Sequence, residues 1–282
     1  MKTSENKAVD IKNKRSRHIL ALSGGKDSSA LAVYLKDRIP EIEYVFCDTG
    51  EELPETYDFI RKLQDFLSKE IKWLQSKKNF QYYLDLYKGV LPDVRARWCT
   101  RMLKIRPYEE FIGNDEIISY VGIRADEPDR IGYISTKPNI SVVYPFKENN
   151  IRKEDVLRML KEVGLGLPSY YSWRSRSGCY FCFFQQKIEW VGLLENHPKL
   201  FKKAMDFEKI DSETGAPLFT WIQGESLKDL AKPERIERIK NEFERRLSFR
   251  KGRLPANCKL KDIFVFEDEE DSFSRACNIC HL

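Results

Sequence analysis

Residues 18–29 read HILALSGGKDSS, and this stretch decides the fold. Its first five residues form a short apolar run, which predicts a buried strand, and the two glycines that follow allow a tight turn. The apolar spacing of residues 30–38 predicts a helix, which leaves residues 23–29 as a loop. A strand, a glycine turn and a helix in this order are typical of the first unit of an α/β sheet.

The same alternation continues along the chain. We predict further strands at residues 42–47, 71–74 and 117–123, and helices at residues 54–68 and 100–112, the second interrupted near Pro107. Strands that alternate with helices pair in parallel through right-handed crossovers. The sequence therefore predicts an α/β fold with a doubly wound, mostly parallel sheet and helices on both faces.

The alternation weakens after about residue 145. We expect helices at residues 153–163, 185–195, 198–210 and 233–247, and a functional loop of arginines, aromatics and cysteines at residues 169–184. The chain is thus divided into a flexible basic arm (1–17), an α/β domain that carries the glycine turn (18–145) and a mainly helical, cysteine-bearing C-terminal region (146–282).

Composition excludes several classes of protein. The chain has 282 residues, 33% of them charged and 41% hydrophobic, with a formal net charge of +5, which is typical of a globular protein. No apolar run approaches the roughly 18 residues that span a bilayer, and residues 1–17 lack the apolar core of a signal peptide. Seven cysteines, four of them in two CxxC pairs, favour metal or sulfur chemistry over a disulfide scaffold. We therefore expect a cytoplasmic protein.

The glycine turn has the features of an anion site. Consecutive backbone N–H groups and the start of a helix would face a phosphate, and serine hydroxyls add further donors. The pattern matches neither a Walker A loop nor a dinucleotide GxGxxG turn. The residues expected to hold the phosphates are Ser23, Gly24, Gly25, Asp27, Ser28 and Ser29.

Polar residues also follow two other predicted strands. Asp48 stands at the end of one strand, where ligands bind in open α/β sheets, so it is expected to orient Mg²⁺, a nucleotide hydroxyl or a water molecule. The alternative is that Asp48 only caps the following turn. Arg124 and Arg130 straddle the end of another strand, and their guanidinium groups suit phosphate oxygens, with surface salt bridges as the alternative.

Four segments together resemble one family. SGGKDS at residues 23–28 resembles the PP-loop of the adenine-nucleotide α-hydrolase superfamily. FCDTGEELPET (46–56), WCTRMLK (98–104) and GIRADEPDR (122–130) resemble signatures of the phosphoadenosine phosphosulfate reductase family. The resemblance implies ATP and Mg²⁺ at the PP-loop. It adds Thr49, Gly50, Arg124 and Arg130 to the binding residues, with Lys26, Asp27 and Asp48 as the catalytic ones.

Cysteines supply a second candidate site. The CxxC pair Cys179 and Cys182 could share an iron site or a zinc ion, or form a redox dithiol. Cys99 stands close to Arg97 and Arg101 in the sequence, and their positive charge is expected to lower its thiol pKa. The resemblance implies a [4Fe–4S] cluster on Cys99, Cys179 and Cys182. The fourth ligand is expected to be Cys280, with Cys277 or an open iron as alternatives, and zinc on Cys179, Cys182, Cys277 and Cys280 is a lesser possibility.

The resemblance leaves several reactions open. The pattern is most similar to the ATP-pyrophosphatase subunit of DNA phosphorothioation systems, which implies adenylylation of a DNA phosphate followed by sulfur insertion. The implied partners are DNA, a cysteine desulfurase and other phosphorothioation proteins, and a homodimer is compatible with it. Basic residues among aromatics favour a nucleic-acid partner. The basic residues in question lie in residues 1–17 and 170–176, and include Arg95, Arg97, Arg101, Lys104 and Arg106. The alternatives are a sulfonucleotide reductase that produces sulfite, a tRNA thiolation enzyme and a non-catalytic nucleotide-binding scaffold.

Overall fold

A five-stranded parallel sheet forms the centre of the molecule. The computed structural model describes residues 16–130, 137–211, 213–214 and 216–250, with the backbone alone at residues 249–250. The strands of the sheet are β1 Arg17–Leu22, β2 Glu43–Asp48, β3 Ile71–Gln75, β4 Ile117–Tyr120 and β5 Ile140–Val143. Their order is β3-β2-β1-β4-β5, and every neighbouring pair is parallel. The predicted α/β class and parallel pairing are confirmed.

Helices cover both faces of this sheet. In chain order they are α1 Lys26–Leu35, α2 Pro54–Leu67, α3 Phe80–Leu86, α4 Trp98–Thr100, α5 Arg106–Ile112, α6 Pro145–Glu148, α7 Lys153–Glu162, α8 Lys187–Asn196, α9 Pro198–Asp206, α10 Leu227–Leu230 and α11 Pro233–Arg250. Leu20 and Leu22 of β1 pack with α1, α2 and α7, whereas Ile19 and Ala21 pack with α5 on the opposite face. The alternation along β1 follows from the two-residue period of a strand.

Shorter elements complete the chain. A π-helical segment, Arg101–Ile105, joins α4 to α5, and a 3₁₀ turn, Ser169–Ser172, follows α7. A small antiparallel hairpin is formed by β6 Lys209–Ile210 and β7 Pro217–Phe219. Among the described residues, no helix combines the length and the apolar character needed to cross a bilayer.

The structure corrects several predicted boundaries. Helix α1 starts at Lys26 rather than residue 30, because Gly25 serves as its extended N-cap. Arg17 belongs to β1 and not to a basic arm, since its guanidinium pairs with Glu43; residues 1–15 of the predicted arm lie outside the described residues. The helix predicted at residues 198–210 ends at Asp206. The helix predicted at residues 100–112 is irregular before Pro107, because a π-helical segment, Arg101–Ile105, precedes α5. Pro107 lies in the first turn of α5.

Hydrophobic packing crosses the predicted boundary at residue 145. One cluster joins Leu53, Phe80 and Trp98 to side chains of the C-terminal region, including Tyr170, Trp190 and Trp221. A second cluster joins strand residues of the sheet to Phe146 and Leu160. The two regions therefore share their cores.

Candidate functional site

The glycine turn lies at the carboxyl end of β1, between β2 and β4. Strand order reverses at this point of an open α/β sheet, and a crevice for ligands forms there. Gly24 has φ +69°, and a Cβ atom at this position would lie 2.5 Å from Cγ2 of Thr56 in α2. A Cβ at Gly25 would lie 2.7 Å from Oγ of Ser177. Only glycine fits between these neighbours, so the turn is held tightly from both sides.

Serine side chains shape the turn from within. Ser28 Oγ accepts from the backbone N–H of Ser23 at 3.1 Å and lies 3.1 Å from Ser23 Oγ. Ser28 and Ser29 are fully buried, and Ser29 Oγ has no hydrogen-bond partner in the described part of the chain. Ser28 thus holds the turn in shape. Phosphate binding by Ser23, Ser28 and Ser29 remains a prediction.

Residues 169–182, which we name the covering segment, lie over the turn. Tyr170 Oη donates to the carbonyl of Gly24 at 2.8 Å, and Ser177 Oγ donates to Ser23 Oγ at 3.2 Å. The backbone N–H of Lys26 donates to Tyr171 Oη at 3.0 Å. Burial raises the pKa of Tyr171 to about 12, so this hydroxyl stays protonated at neutral pH. The sequence indicated a functional loop here but not that it closes over the glycine turn.

Ion pairs surround the start of α1. Asp27 accepts from Arg124 at 2.7 Å and lies 3.3 Å from the ammonium of Lys26. Burial alone would lower the pKa of Arg124, but the facing carboxylates, Asp27 first, hold it above its ordinary value. Arg130 pairs with Glu127 at 2.7 Å. The structure therefore shows both arginines in salt bridges, the alternative considered above, and their contact with phosphate remains a prediction.

Asp48 caps the turn that follows β2. Its Oδ1 accepts from the N–H of Gly50 at 2.8 Å and from Tyr57 Oη at 2.9 Å, and its Oδ2 accepts from Gln75 Nε2 at 2.5 Å. Gly50 has φ +75°, which suits a residue without a side chain. Asp48 thus has a structural role in this arrangement, and its catalytic role remains a prediction.

Cys99, Cys179 and Cys182 line one small cavity. The cavity has a volume of about 40 Å³ and is also lined by Thr49, Lys104 and four phenylalanine rings. The structure thus brings Cys99 together with the CxxC pair, which lies about 80 residues later in the sequence. Cys280, the predicted fourth ligand, and Cys277 of the zinc alternative lie outside the described residues.

Glu52 is a buried carboxylate beside this cavity that sequence reasoning missed. Its Oε1 accepts from Thr49 Oγ1 at 3.0 Å, and Cys179 Sγ and Lys104 Nζ lie 3.7 and 3.8 Å away. Its Oε2 is buried and has no hydrogen-bond partner among the described residues. A backbone bridge to Cys179 holds Glu52 against the CxxC turn. The only signal in the sequence was its place in the segment DTGEELPET.

The expected lowering of the Cys99 pKa is wrong. Burial, followed by the neighbouring Cys182, raises the pKa of Cys99 to about 12, and burial and Glu52 raise that of Cys179 as well. The guanidinium of Arg97 lies over the ring of Phe184 at 5.0 Å. Lys104, assigned above to a basic surface, is instead largely buried at the cavity.

The three thiols are suitable ligands for a cluster, but the cavity between them is too small to hold one in this structure. Thiolates are the ligands that iron–sulfur clusters and zinc prefer. Within the described ranges, however, no three histidine, cysteine or acidic side chains stand close enough to hold a metal ion. The cavity of about 40 Å³ holds a few water molecules, since one molecule needs about 10–15 Å³. Binding a cluster would therefore require these thiols to change position.

Comparison with known proteins supplies independent information. The family described as Phosphoadenosine phosphosulfate reductase domain matches residues 17–182. An uncharacterized protein of Methanocaldococcus jannaschii is 27% identical over 213 residues, which are 70% of this chain and 49% of that protein. An uncharacterized nin region protein of Escherichia phage lambda is 26% identical, with 62% and 68% of the two chains covered. The chain thus spans about half the length of the Methanocaldococcus relative.

A solved structure gives a weaker match. The phosphate complex of phosphoadenylyl-sulfate (PAPS) reductase from Candida auris aligns with a TM-score of 0.46 and 14% identity, over 58% of this chain and 81% of that one.

Proposed function

Because this chain belongs to the phosphoadenosine phosphosulfate reductase domain family, we propose that it uses ATP to activate a nucleic-acid phosphate for sulfur insertion, with DNA as the substrate. One observation supports this choice over simple nucleotide binding. The covering segment touches the glycine turn through Tyr170, Tyr171 and Ser177 and carries Cys179 and Cys182 into the thiol cavity. A phosphate-activating site and a sulfur-handling site would thus lie side by side.

The proposed reaction has two steps. A non-bridging oxygen of a DNA phosphate attacks the α-phosphorus of ATP, and pyrophosphate leaves. Sulfur at the oxidation level of sulfide then attacks the DNA phosphorus, and AMP leaves with the original oxygen. A cysteine desulfurase would provide the sulfur as a persulfide, which needs two electrons from a reductant to reach that level.

The chain's own residues would have distinct tasks. The N–H groups of the glycine turn and the hydroxyl of Ser23 would bind the leaving pyrophosphate together with Mg²⁺. Arg124 would exchange Asp27 for a phosphate oxygen, which would free the Asp27 carboxylate for Mg²⁺ and leave the Lys26 ammonium near the developing charge. Cys99, Cys179 and Cys182 would hold a [4Fe–4S] cluster. With its fourth iron left open the cluster would bind sulfide, whereas Cys280 as fourth ligand would close that position.

The test of this function is pyrophosphate release. Anaerobically purified protein is incubated with Mg-ATP, DNA and sulfide, and in parallel with phosphoadenosine phosphosulfate and a reductant. We expect pyrophosphate and AMP from ATP, and their loss in Asp27→Asn but not in Asp58→Asn, whose carboxylate is exposed on α2. Sulfite from the sulfonucleotide, with ATP untouched, would contradict the proposal and identify a reductase.

A second measurement tests the thiol site by itself. Iron and acid-labile sulfide are assayed in wild type, Cys99→Ser, Cys182→Ser and Cys280→Ser. We expect both elements in wild type and their loss in the Cys99 and Cys182 variants. Cys47→Ala is the matched control, since this buried thiol faces the carbonyl of Lys104 rather than the cavity. Iron-free wild type, or unchanged iron in every variant, would remove the cluster from the proposal.

A further inference from the structure

Large apolar side chains are exposed mainly on one part of the molecule. Ten are more than a third exposed in the described residues, and five of these lie between residues 82 and 94. They are Tyr82, Leu86, Tyr87, Val90 and Val94. Two more, Ile210 and Leu218, lie on the β6–β7 hairpin, which is joined to this region by a hydrogen bond from Lys209 Nζ to the carbonyl of Lys88 at 2.8 Å. A patch of this kind marks an interaction surface.

The same region concentrates the positive charge of the chain. Residues 77–101 contain six basic and two acidic side chains, a net charge of +4 compared with +5 for the whole chain. Asp93 is already engaged, because its Oδ1 accepts from the N–H groups of Arg95 and Ala96 at 2.7 and 2.6 Å. Asp85 accepts from the amide of Gln81 at 2.8 Å. We name the exposed side chains of residues 77–101 the α3 face.

A groove on the α3 face offers a place for a flat ring. It has a volume of about 320 Å³ and runs between α3 and the π-helical segment. Lys78, Tyr82, Leu86, Met102 and the ion pair of Arg106 with Glu110 are part of its lining. The Tyr82 ring is 45% exposed, and the ammonium of Lys78 lies 4.8 Å from its centroid. This volume is at the lower end of small-molecule sites, about 300 Å³, which suits a single nucleoside.

The α3 face leads to the thiol cavity. Pro92 and Cys99, which belong to the same stretch of chain, line that cavity. The ring of Phe184, also in the cavity wall, has the guanidinium of Arg97 at 5.0 Å and that of Arg176 at 5.5 Å. A polyanion lying on the α3 face would therefore reach the cysteines along a path rimmed by arginines.

We infer that the α3 face binds an unpaired stretch of nucleic acid, with Tyr82 stacking on a base and Lys77, Lys78, Lys88 and Arg95 contacting phosphates. Exposed aromatic rings among basic side chains suit unpaired bases, because a duplex hides the base faces on which a ring can stack. The inference deepens the proposed function by naming the strand state of its substrate and where that substrate lies. Binding is nonetheless measurable without any turnover.

The test compares oligonucleotides by fluorescence anisotropy with the full chain and no ATP. We expect a 20-nucleotide single strand to bind more tightly than the duplex of the same length. Tyr82→Ala should weaken binding of the single strand by at least about 5-fold, as expected for one lost base stack. Lys77→Ala with Lys78→Ala should reduce the slope of log affinity against log salt by about 0.7 for each lost phosphate contact.

Matched controls separate this effect from general charge loss. Lys153→Ala with Lys161→Ala removes two exposed lysines from α7, which packs in another hydrophobic cluster, and should leave single-strand binding within 2-fold. Thermal unfolding verifies that each variant is folded, which we expect because Tyr82, Lys77 and Lys78 are exposed.

Several results would overturn the inference. They are equal affinity for duplex and single strand, no oligonucleotide binding at low salt, or equal losses in the α3-face and α7 variants. Sedimentation of the Leu86→Asp variant measures self-association as a further check. If this variant no longer self-associates but binds the oligonucleotide with unchanged affinity, the α3 face is a dimer interface. Absence of pyrophosphate release together with normal single-strand binding would refute only the proposed reaction.

Discussion

The hydroxyl of Tyr171 accepts a hydrogen bond from one of the N–H groups that a phosphate would use. The first amides of a helix have no partner within the helix, which is why such ends bind anions. Here the amide of Lys26, the first residue of α1, donates to Tyr171 instead. A phosphate oxygen at this amide must therefore displace the tyrosine hydroxyl.

Tyr171→Phe removes that competitor. We expect Mg-pyrophosphate to bind about 2- to 10-fold more tightly to the variant, equivalent to one neutral hydrogen bond of about 0.5–1.5 kcal/mol. Titration calorimetry measures the change. Tyr170→Phe is the control, because its hydroxyl donates to a carbonyl and blocks no amide, so it should not tighten binding. Weaker binding to Tyr171→Phe would mean that the hydroxyl itself contacts the ligand.

At this scale the sequence predicted residue types better than their partners. The motif SGGKDS located the turn, but its contacts with Tyr170, Tyr171 and Ser177 join residues about 150 positions apart, which no local pattern encodes. Glu52 was missed because glutamate is normally exposed, and its burial depends on the backbone of a distant CxxC turn.

Among the elements, one carboxylate of β2 forms hydrogen bonds with both neighbouring strands. Glu43 accepts from Arg17 of β1 and from Lys72 of β3, each at 2.7 Å. Arg17 also reaches Asp115, just before β4, at 2.8 Å. These charges lie at the amino end of the sheet, opposite to the candidate site, so their role is in stability.

The ion pair between Glu43 and Arg17 should make the stability of the fold depend on pH. Its hydrogen bond with Arg17 lowers the pKa of Glu43 from an ordinary 4.5 to about 2. A carboxylate whose pKa is lowered by folding stabilises the fold above pH 4.5, and this contribution is lost as the pH falls toward 2. We expect Glu43→Gln to lower the free energy of unfolding by about 1–2 kcal/mol at pH 7. That deficit should shrink at pH 3.

Urea unfolding at pH 7, 4.5 and 3 measures this effect. Asp58→Asn is the control, since its pair with Arg61 is exposed within one helix and contributes little at any pH. A deficit for Glu43→Gln that is the same at pH 7 and pH 3 would contradict the prediction.

Strong apolar runs predicted their elements, and weak ones did not. β1, β2 and β4 were identified because most of their residues are apolar and buried. Both edge strands are only partly buried, and of these β3 was identified and β5 was missed. Helix α3 escaped prediction because its seven residues are too few for a helical period to stand out. Serine and aspartate usually favour loops, so the first turn of α1 was assigned to the loop before it.

In the molecule as a whole, both large cores are shared across residue 145. Leu53, Phe80 and Trp98 are buried against side chains that come after residue 169. The sequence suggested a boundary at this point because the strand–helix alternation stops there, but burial of these side chains depends on the later segment.

A chain ending at residue 145 should therefore fail to fold cooperatively. Loss of the C-terminal partners would expose apolar surface that includes Phe80 and Trp98, and each fully buried side chain of this size contributes about 1.5–3 kcal/mol. Scanning calorimetry should show no cooperative transition for this fragment. A chain ending at residue 250 keeps both cores and should show one. A sharp transition in the shorter fragment would establish an independent domain.

The cover over the glycine turn also has a consequence for synthesis on the ribosome. Gly25 emerges first, and Ser177, which packs against it, follows 152 residues later. At about 5–20 residues per second, the nascent chain spends about 8–30 s with this turn uncovered. During that interval Phe80 and Trp98 also lack the side chains after residue 169 against which they pack. The order of translation thus delays completion of the anion site until the segment that covers it has been made.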